Sequence, residues 1–353
     1  MKWWSRLKQN PLAQLGGTIL LTFYLIVTLA GFFAPYDPYS SQIDGSLLSP
    51  TRIYWRNTQQ EWIGPHVYPT TLGPTDLETG ERKLSRDYQK PSPIRLFVKG
   101  RTFNFLGLKL NRQLFGTVGE GYLNILGTDE QGRDQLSRLI YGGRISLFIG
   151  IVGIAISFPL GMLIGGISGY FGGVVDAVLM RLAEVLMTIP GIYLLVALAA
   201  VLPLDLTSAQ RFLLIVAITS LISWAGLARV TRGQVLAIKE QEFVQAAKAM
   251  GARPLYLILR HILPQTASYM IISATLAIPG FIIAESVLSL IGLGIQQPYP
   301  SWGNLLSLAT NASILVLNPW LIWPPAAVII LTVLAFNLLG DGLRDALDPR
   351  SNP

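Results

Sequence analysis

The residues able to do chemistry are few. Two histidines, His66 and His261, and no cysteine occur in 353 residues. A Ser-His-Asp or Cys-His arrangement, or a zinc site of the H-E-x-x-H kind, needs histidine in a motif that neither of these offers. The turn Asp129-Glu130-Gln131-Gly132-Arg133-Asp134 gathers carboxylates around a glycine. An EF-hand calcium loop, however, ends on a bidentate Glu at its twelfth position, and counting from Asp129 that position is Ile140. Neither a catalytic centre nor a metal site is expected. The cluster Gly165-Gly166-Ile167-Ser168-Gly169-Tyr170-Phe171-Gly172-Gly173 lacks the Gly-Lys-Ser/Thr ending of a phosphate loop and follows an apolar run rather than a strand. It suits tight packing and a turn. Arg181 and Glu184, one helical turn apart, suit a local ion pair or snorkelling at the end of a span. What remains is Glu285, a carboxylate inside an apolar stretch. Charge is costly within a bilayer, so such a residue faces the bundle interior and has a role there.

A second cluster of polar residues lies in EFVQAAKAMGARPLYLILRHILP, from Glu242 to Pro264. Ala246, Ala247 and Gly251 put small residues at helical spacing, a face that another backbone can approach closely. Gly251 suits the left-handed position that ends a helix, and Pro254 suits the first turn of the next. Pro264 is expected to stop that second helix. The stretch reads as a polar docking hairpin between membrane spans.

The elements that must carry these residues follow from composition. The chain is 51% hydrophobic and only 13% charged, about half the charge of an ordinary soluble protein. Apolar runs approach the ~20 residues that span a bilayer as a helix. The net charge of +7 comes without a basic patch interleaved with aromatics, so no nucleic-acid partner is expected. Excess Lys and Arg belongs instead in cytoplasmic loops. Residues 1–16 carry Lys2, Arg6 and Lys8 with no acid, and an apolar run from about Gly17 to Phe33 follows. Pro35-Tyr36-Asp37 is a poor signal-cleavage site, so this run is read as a retained first span. Further spans are placed at about 145–168, 182–203, 211–229, 266–292 and 319–340. Pro159 and Pro190 fall inside apolar runs as kinks, static or mobile. Gly161, Gly165, Gly166 and Gly169 share a stripe suited to close helix contact.

Residues 229–264 hold six Lys or Arg against two Glu, whereas 294–318 hold no charge at all. That contrast puts the hairpin and both termini on the cytoplasmic side. Between Asp37 and Arg138 both signs of charge, prolines and aromatics mark a small β-rich extracytoplasmic insertion. Arg95–Lys99 and Arg101–Phe105 read as strands turning at Gly100. The Asp129–Asp134 turn is expected to lead an interface helix along the outer surface. The fold class is thus an all-α polytopic membrane protein with six transmembrane helices, one N-terminal plus five, and that insertion. The boundaries are 1–35 for the N-terminus and first span, 36–140 for the insertion and interface helix, 141–345 for the core with its loop at 230–264, and 346–353 for the tail.

Gln245-Ala246-Ala247, Gly251 and Leu263-Pro264 keep the spacing Glu-Ala-Ala, three residues, Gly, nine residues, Ile-x-Leu-Pro. The hairpin therefore resembles the cytoplasmic loop of ABC importer permeases, with Gln245 in place of the acid and His261 in place of the isoleucine. In that family the acid helps seat the loop on the ATPase, and Glu242, three residues earlier, reaches a similar face. Gly127–Asp134, Ser137-Arg138, Tyr141-Gly142 and Arg144–Leu147 look like the opening of the core in dipeptide/oligopeptide/nickel importers. Glu285–Ser289, Gly292-Leu293-Gly294, Pro298 and Pro300-Ser301-Trp302-Gly303 match that group's fifth span, and Asn337–Arg350 matches its C-terminus. The first span fits the C-type member of the paired permeases, and the 37–118 insertion is similar to a variant seen in some oligopeptide-type permeases.

The resemblance implies a transport subunit of the plasma (inner) membrane, not an enzyme, moving peptides delivered by an extracytoplasmic binding protein. It implies a homologous permease partner and two ATPase subunits that carry ATP and Mg, with no cofactor on this chain and lipid around it. The coupling residues would be Glu242, Gln245, Ala246, Ala247, Gly251, Leu263 and Pro264. Asp129, Gly132, Arg133, Asp134 and Arg144 would open the core, and Pro300 with Trp302 would sit at the outer mouth. Glu285 would either meet a peptide amine in the path or brace the helix near Pro279-Gly280. Nickel or an oligosaccharide is the alternative cargo, and an ion-driven carrier or channel is the alternative class. The insertion is expected to dock the binding protein.

Overall fold

The computed structural model describes residues 2–75, 82–105, 107–201, 203 and 206–347. Asp348-Pro349-Arg350 of the expected C-terminal motif lie outside the described residues. A short helix α1 (Lys2–Leu7) precedes the first apolar helix α2 (Pro11–Thr28) and a single turn α3 (Ala30–Phe33). Six strands follow: β1 (Tyr54–Arg56), β2 (Trp62–Val67), β3 (Thr70–Thr75), β4 (Arg82–Arg86), β5 (Ser92–Phe105) and β6 (Leu108–Thr117). The helical remainder is α4 (Gln135–Phe171), α5 (Gly173–Thr188), α6 (Gly191–Ala200), α7 (Ser208–Ile238), α8 (Glu242–Ala249), α9 (Pro254–Tyr256), α10 (Ala267–Leu290), α11 (Trp302–Leu306), α12 (Ala312–Leu317) and α13 (Trp323–Leu347).

Among the described residues, five helical runs are long and apolar enough to cross a membrane, within Pro11–Thr28, Gln135–Phe171, Gln210–Ile238, Pro254–Leu290 and Pro319–Leu347. A sixth crossing is available if α5 and α6 count as one broken span, bent by 85°. The expected span at 182–203 is therefore two helices. The break has a local cause: proline drives the residue before it out of the helical region, and Ile189, ahead of Pro190, sits at φ −81° and ψ 124°. Pro159 and Pro279, by contrast, lie inside the continuous helices α4 and α10.

Two compact units divide the chain, one of residues 1–21, 147–288 and 330–353, the other of 22–146 and 289–329. In the first, the glycine stripe of α4 packs on α7. A Cβ on Gly161 would lie 3.0 Å from the Trp224 carbonyl, and one on Gly169 2.9 Å from that of Arg232. A Cβ on Gly165 would collide with the Ala228 carbonyl. These positions repeat every four residues on both helices, so two backbones approach where side chains are absent. Gly166 sits aside from that seam, against Ile258. Leu7, Ala13, Leu343 and Ala346 form a separate buried cluster between the N-terminal helices and α13.

In the second unit, β1-β2-β5-β6 form an antiparallel sheet and β3-β4 a separate hairpin. The two short strands expected around Gly100 are one strand, β5, paired with β6 and irregular between Lys99 and Phe103. Gly100 packs against the Gln113 side chain in that irregular stretch, and the chain reverses beyond Phe105 instead. The interface helix expected before the core is also absent as a separate element. Residues 135–140 are the first turns of α4, because Asp134 caps that helix by accepting the Ser137 N–H at 2.7 Å.

Candidate functional site

The hairpin begins where α7 ends. Its first helix, α8, closes in a two-bond cap: Ala252 N–H donates to the Ala247 carbonyl at 3.1 Å and Gly251 N–H to that of Lys248 at 3.0 Å. That cap needs a residue at positive φ, and Gly251 sits at +86°. Beyond its chain neighbours, nothing among the described residues lies within 4 Å of where its Cβ would be. The expected close approach at Gly251 is thus not made within the chain. Pro254 opens α9 as expected, but Pro264 ends nothing. Leu257–Ile262 widen into a π-helical turn, Leu263–Thr266 tighten into a 3₁₀ turn, and the run continues into α10. Pro264 falls at the start of the tightened turn, where a missing N–H costs little.

One face of the hairpin is inward. Val244, Ile258, Ile262 and Leu263 form a buried cluster with Val235 of α7, flanked by Met162, Ile167 and Tyr170 of α4. Ala247 is buried with them, while its neighbour Ala246 is exposed. The outward face carries Glu242, Phe243, Gln245, Lys248, Met250, Leu255, Tyr256 and Leu259, all exposed, with Met250 at 82%. Gln245 braces the elbow locally, since its Nε2 donates at 2.9 Å to the carbonyl of Lys239, the residue that caps α7. Lys239 in turn donates from Nζ to the Gly169 carbonyl at 3.0 Å, satisfying the end of α4. Arg232 holds Asp176 through two nitrogens, and Ser168 also bonds Asp176. The hairpin is therefore packed on α4 and α7, and α7 in turn is tied to α5. Asp176 and Arg232 lie 56 residues apart, so no spacing pattern could have paired them.

A groove of about 560 Å³ opens in the same unit between α4, α6, α7 and α10. Among the described residues its lining carries no Lys, Arg, Asp or Glu; hydroxyls of Ser157, Thr219, Ser223, Tyr269 and Ser273 interrupt apolar walls. Thr219 and Ser223 recur at four-residue spacing on α7, and their hydroxyls donate to carbonyls of their own helix, each at 2.7 Å. That periodicity is present in the sequence but is masked by the surrounding apolar run. Ala284 and Val287 line the groove, whereas Glu285, fully buried, does not.

The core-opening motif is a structural clamp. Asp129 accepts from the Gln131 and Arg133 N–H groups through one oxygen, at 3.0 and 2.9 Å. Its other oxygen meets Arg133 Nη2 at 2.6 Å and Arg138 Nε at 3.3 Å. Arg138 spans further, to the carbonyls of Pro38 (3.0 Å) and Pro298 (3.2 Å) and to Gln297 Oε1 (2.9 Å). The Gly132 carbonyl accepts from Gln42 N–H at 2.9 Å. Burial pushes the Asp134 carboxyl up to about 7, against the lowering effect of its Ser137 hydrogen bonds. Arg144 donates to the Val27 and Thr28 carbonyls at 2.7 and 3.1 Å, closing the end of α2. Pro300 and Trp302, expected at an outer mouth, are buried. Trp302 Nε1–H donates to the Leu139 carbonyl at 3.0 Å and its backbone N–H to Ser146 Oγ at 3.0 Å. The ring anchors the loop to α4 instead of facing an opening.

Comparison with known proteins gives this geometry a family. The family described as the binding-protein-dependent transport system inner membrane component matches residues 158–353. The N-terminal TM domain of oligopeptide transport permease C matches residues 2–50. The oligopeptide transport system permease protein OppC of Haemophilus influenzae is 45% identical over 231 residues, 65% of this chain and 71% of that protein. The dipeptide transport system permease protein DppC of Bacillus subtilis is 46% identical over 224 residues, 64% and 68% respectively. OppC of Escherichia coli is 42% identical over 224 residues, 64% and 72%. With multiple apolar spans, a braced polar hairpin and these relatives, the chain belongs to the binding-protein-dependent inner-membrane transport components, as a permease of the dipeptide/oligopeptide ABC group.

Proposed function

We propose that this chain is one permease subunit of an ATP-driven importer and forms, beside a homologous permease, the path for peptides handed over by an extracytoplasmic binding protein. Two separate ATPase subunits, holding ATP and Mg, grip the outward face of the Glu242–Pro264 hairpin. The hairpin's division into two faces carries this reading. Its inner face packs on α4 and α7, and α7 is itself tied to α5 through Arg232 and Asp176, so force applied outside moves the helices that line the groove. Its outer face exposes apolar side chains beside charged ones, as a docking surface does.

Glu242, exposed in the first turn of α8, takes the acidic role, since the Gln245 amide is committed to Lys239. The uncharged groove suits cargo of varied side chains, with backbone and hydroxyl contacts in place of charge pairing. Glu285 braces α10 and does not contact cargo, consistent with its burial away from the groove lining. The excess of Lys and Arg in 229–264 supports an orientation with the hairpin and both termini in the cytoplasm and the insertion outside.

Reconstitution tests the whole reading. Proteoliposomes holding the two permeases and the ATPases should take up labelled peptide only with ATP and binding protein present. Uptake driven by an ion gradient, with the ATPases omitted, would overturn it in favour of a secondary carrier. Within that assay Glu285→Gln should preserve uptake for cationic and neutral peptides alike. A selective loss of uptake for peptides with a free amine would assign Glu285 to the path.

A further inference from the structure

The β-rich insertion carries an open cleft of about 680 Å³ that neither the coupling hairpin nor the groove accounts for. It lies between β1, the following turn, and the aromatic side chains of β2 and its neighbours. Trp55 and Trp62 stack on one another with ring centroids 5.5 Å apart, yet they stay 51% and 68% exposed. Tyr54, Tyr68 and Tyr88 form the other wall, edge-to-face at 5.1 and 5.0 Å. Arg52 lies over the Tyr54 ring at 5.4 Å, and Arg56 and Asn57 complete the rim.

The cleft is rigid. Tyr54 and Arg56 pair with His66 and Trp62 across the β1–β2 ladder. Asn57 closes the turn by accepting N–H bonds from Gln59 and Glu61, both at 2.9 Å. His66, fully buried, holds Tyr68 through a 3.1 Å bond to its hydroxyl. Fold stability gives no reason to leave two tryptophans in water on a braced hairpin. Contiguous exposed aromatics mark a contact surface, and Trp, Tyr and Arg are the residues that dominate protein–protein hot spots.

Charge selects the occupant. Among the described residues no Asp or Glu lines the cleft, whereas Arg52 and Arg56 do, and Arg86 sits at the Tyr88 hydroxyl. Glu61, in the turn beside the cleft, is engaged with the Asn57 amide at 2.9 Å. A cationic aromatic cleft of this form fits an extended, acidic segment bearing apolar side chains, which arginines orient and tryptophans cover. We propose that this cleft receives an acidic segment of the extracytoplasmic binding protein and is a docking point for it on this subunit. The inference rests on the importer reading, which supplies that partner and sets the insertion on the outer side.

The test uses the whole importer in nanodiscs and its own binding protein, with affinity measured at about 0.05 and 0.3 M salt. The double variant Arg52→Glu/Arg56→Glu should weaken binding at least tenfold at low salt and flatten the salt dependence. Arg52→Lys/Arg56→Lys, which keeps the charge, should retain most of the affinity at low salt. Trp62→Ala should weaken binding at both salt concentrations alike. Basal ATPase activity without binding protein should stay unchanged in all three, showing the complexes intact. Unaltered affinity in the charge-reversed and Trp62 variants of an assembled, ATP-hydrolysing complex overturns the docking cleft alone. So does loss of binding of free acidic peptides with binding-protein affinity intact, which would make the occupant cargo. A chain that assembles with no ATPase overturns the importer reading and this inference with it.

Discussion

Gln245 shows how one side chain can depart from a family pattern for a local reason. Its amide donates to the Lys239 carbonyl and lies 3.5 Å from a Glu240 carboxylate oxygen. A carboxylate there would face a carbonyl and another carboxylate with no proton to share. Gln245→Glu should therefore loosen the elbow between α7 and α8 by about 1 kcal/mol, seen as a lower melting temperature of the purified subunit. Unchanged melting would show that the bond is unimportant. The departure from the acid was legible in the sequence; its cause was not, because it depends on the chain folding back six residues onto the end of α7. Asp134 gives a pH prediction. Its folded pKa of about 7 lies above the ordinary 3.8, so below about pH 4 both folded and unfolded chains hold the proton. Between about pH 4 and 7 the unfolded chain releases it while the fold keeps it, so this group's contribution to stability falls as pH rises. Asp134→Asn should flatten that part of the curve in a melting series across pH. An unchanged slope would mean the carboxyl is ionised in the fold.

At the scale of elements, the seam between α4 and α7 and the break at Pro190 decide most. Gly165→Leu should push the helices apart at the Ala228 carbonyl, at a cost of about 1–3 kcal/mol or more. Gly233→Ala, with nothing within 4 Å, should be neutral or stabilise α7 by up to about 1 kcal/mol. Comparing the two in detergent melts separates close packing from helix propensity; equal effects would contradict the seam. Apolar runs and the stripe at Gly161, Gly165 and Gly169 made these helices readable from sequence. The insertion was readable as β-rich because polar and apolar residues alternate in it. The continuation through Pro264 was not readable, since it needs a π turn that no local propensity announces. Nor was the unity of β5, where the irregularity at Gly100 looks like a turn until β6 pairs on both sides of it.

For the molecule as a whole, charge asymmetry and run length pointed to a multi-pass membrane protein, and ordered motifs pointed to the permease group that the relatives bear out. The roles of site residues were harder to read. Trp302 and Arg138 are conspicuous in sequence, but their work is to tie the loop after α10 and the segment after α3 to α4, across separations of about 100 residues or more. Only the fold brings such partners together. The central claim is that separate ATPases hold the outer face of the hairpin. It is tested most directly by purifying the tagged chain from its own membranes in mild detergent and identifying what accompanies it by mass spectrometry. Gly251→Asp is the variant to run beside it. Asp tolerates the left-handed conformation better than most residues, and beyond its chain neighbours nothing among the described residues lies within 4 Å of the added Cβ. The variant therefore adds backbone strain at φ +86° but no clash of that Cβ within the chain, and unchanged melting of the purified variant separates lost docking from a loosened hairpin. Two P-loop ATPases and a second permease should accompany the wild-type chain, and the ATPases alone should be lost from the variant. A chain that emerges alone or as a homo-oligomer, indifferent to the substitution, would contradict the account.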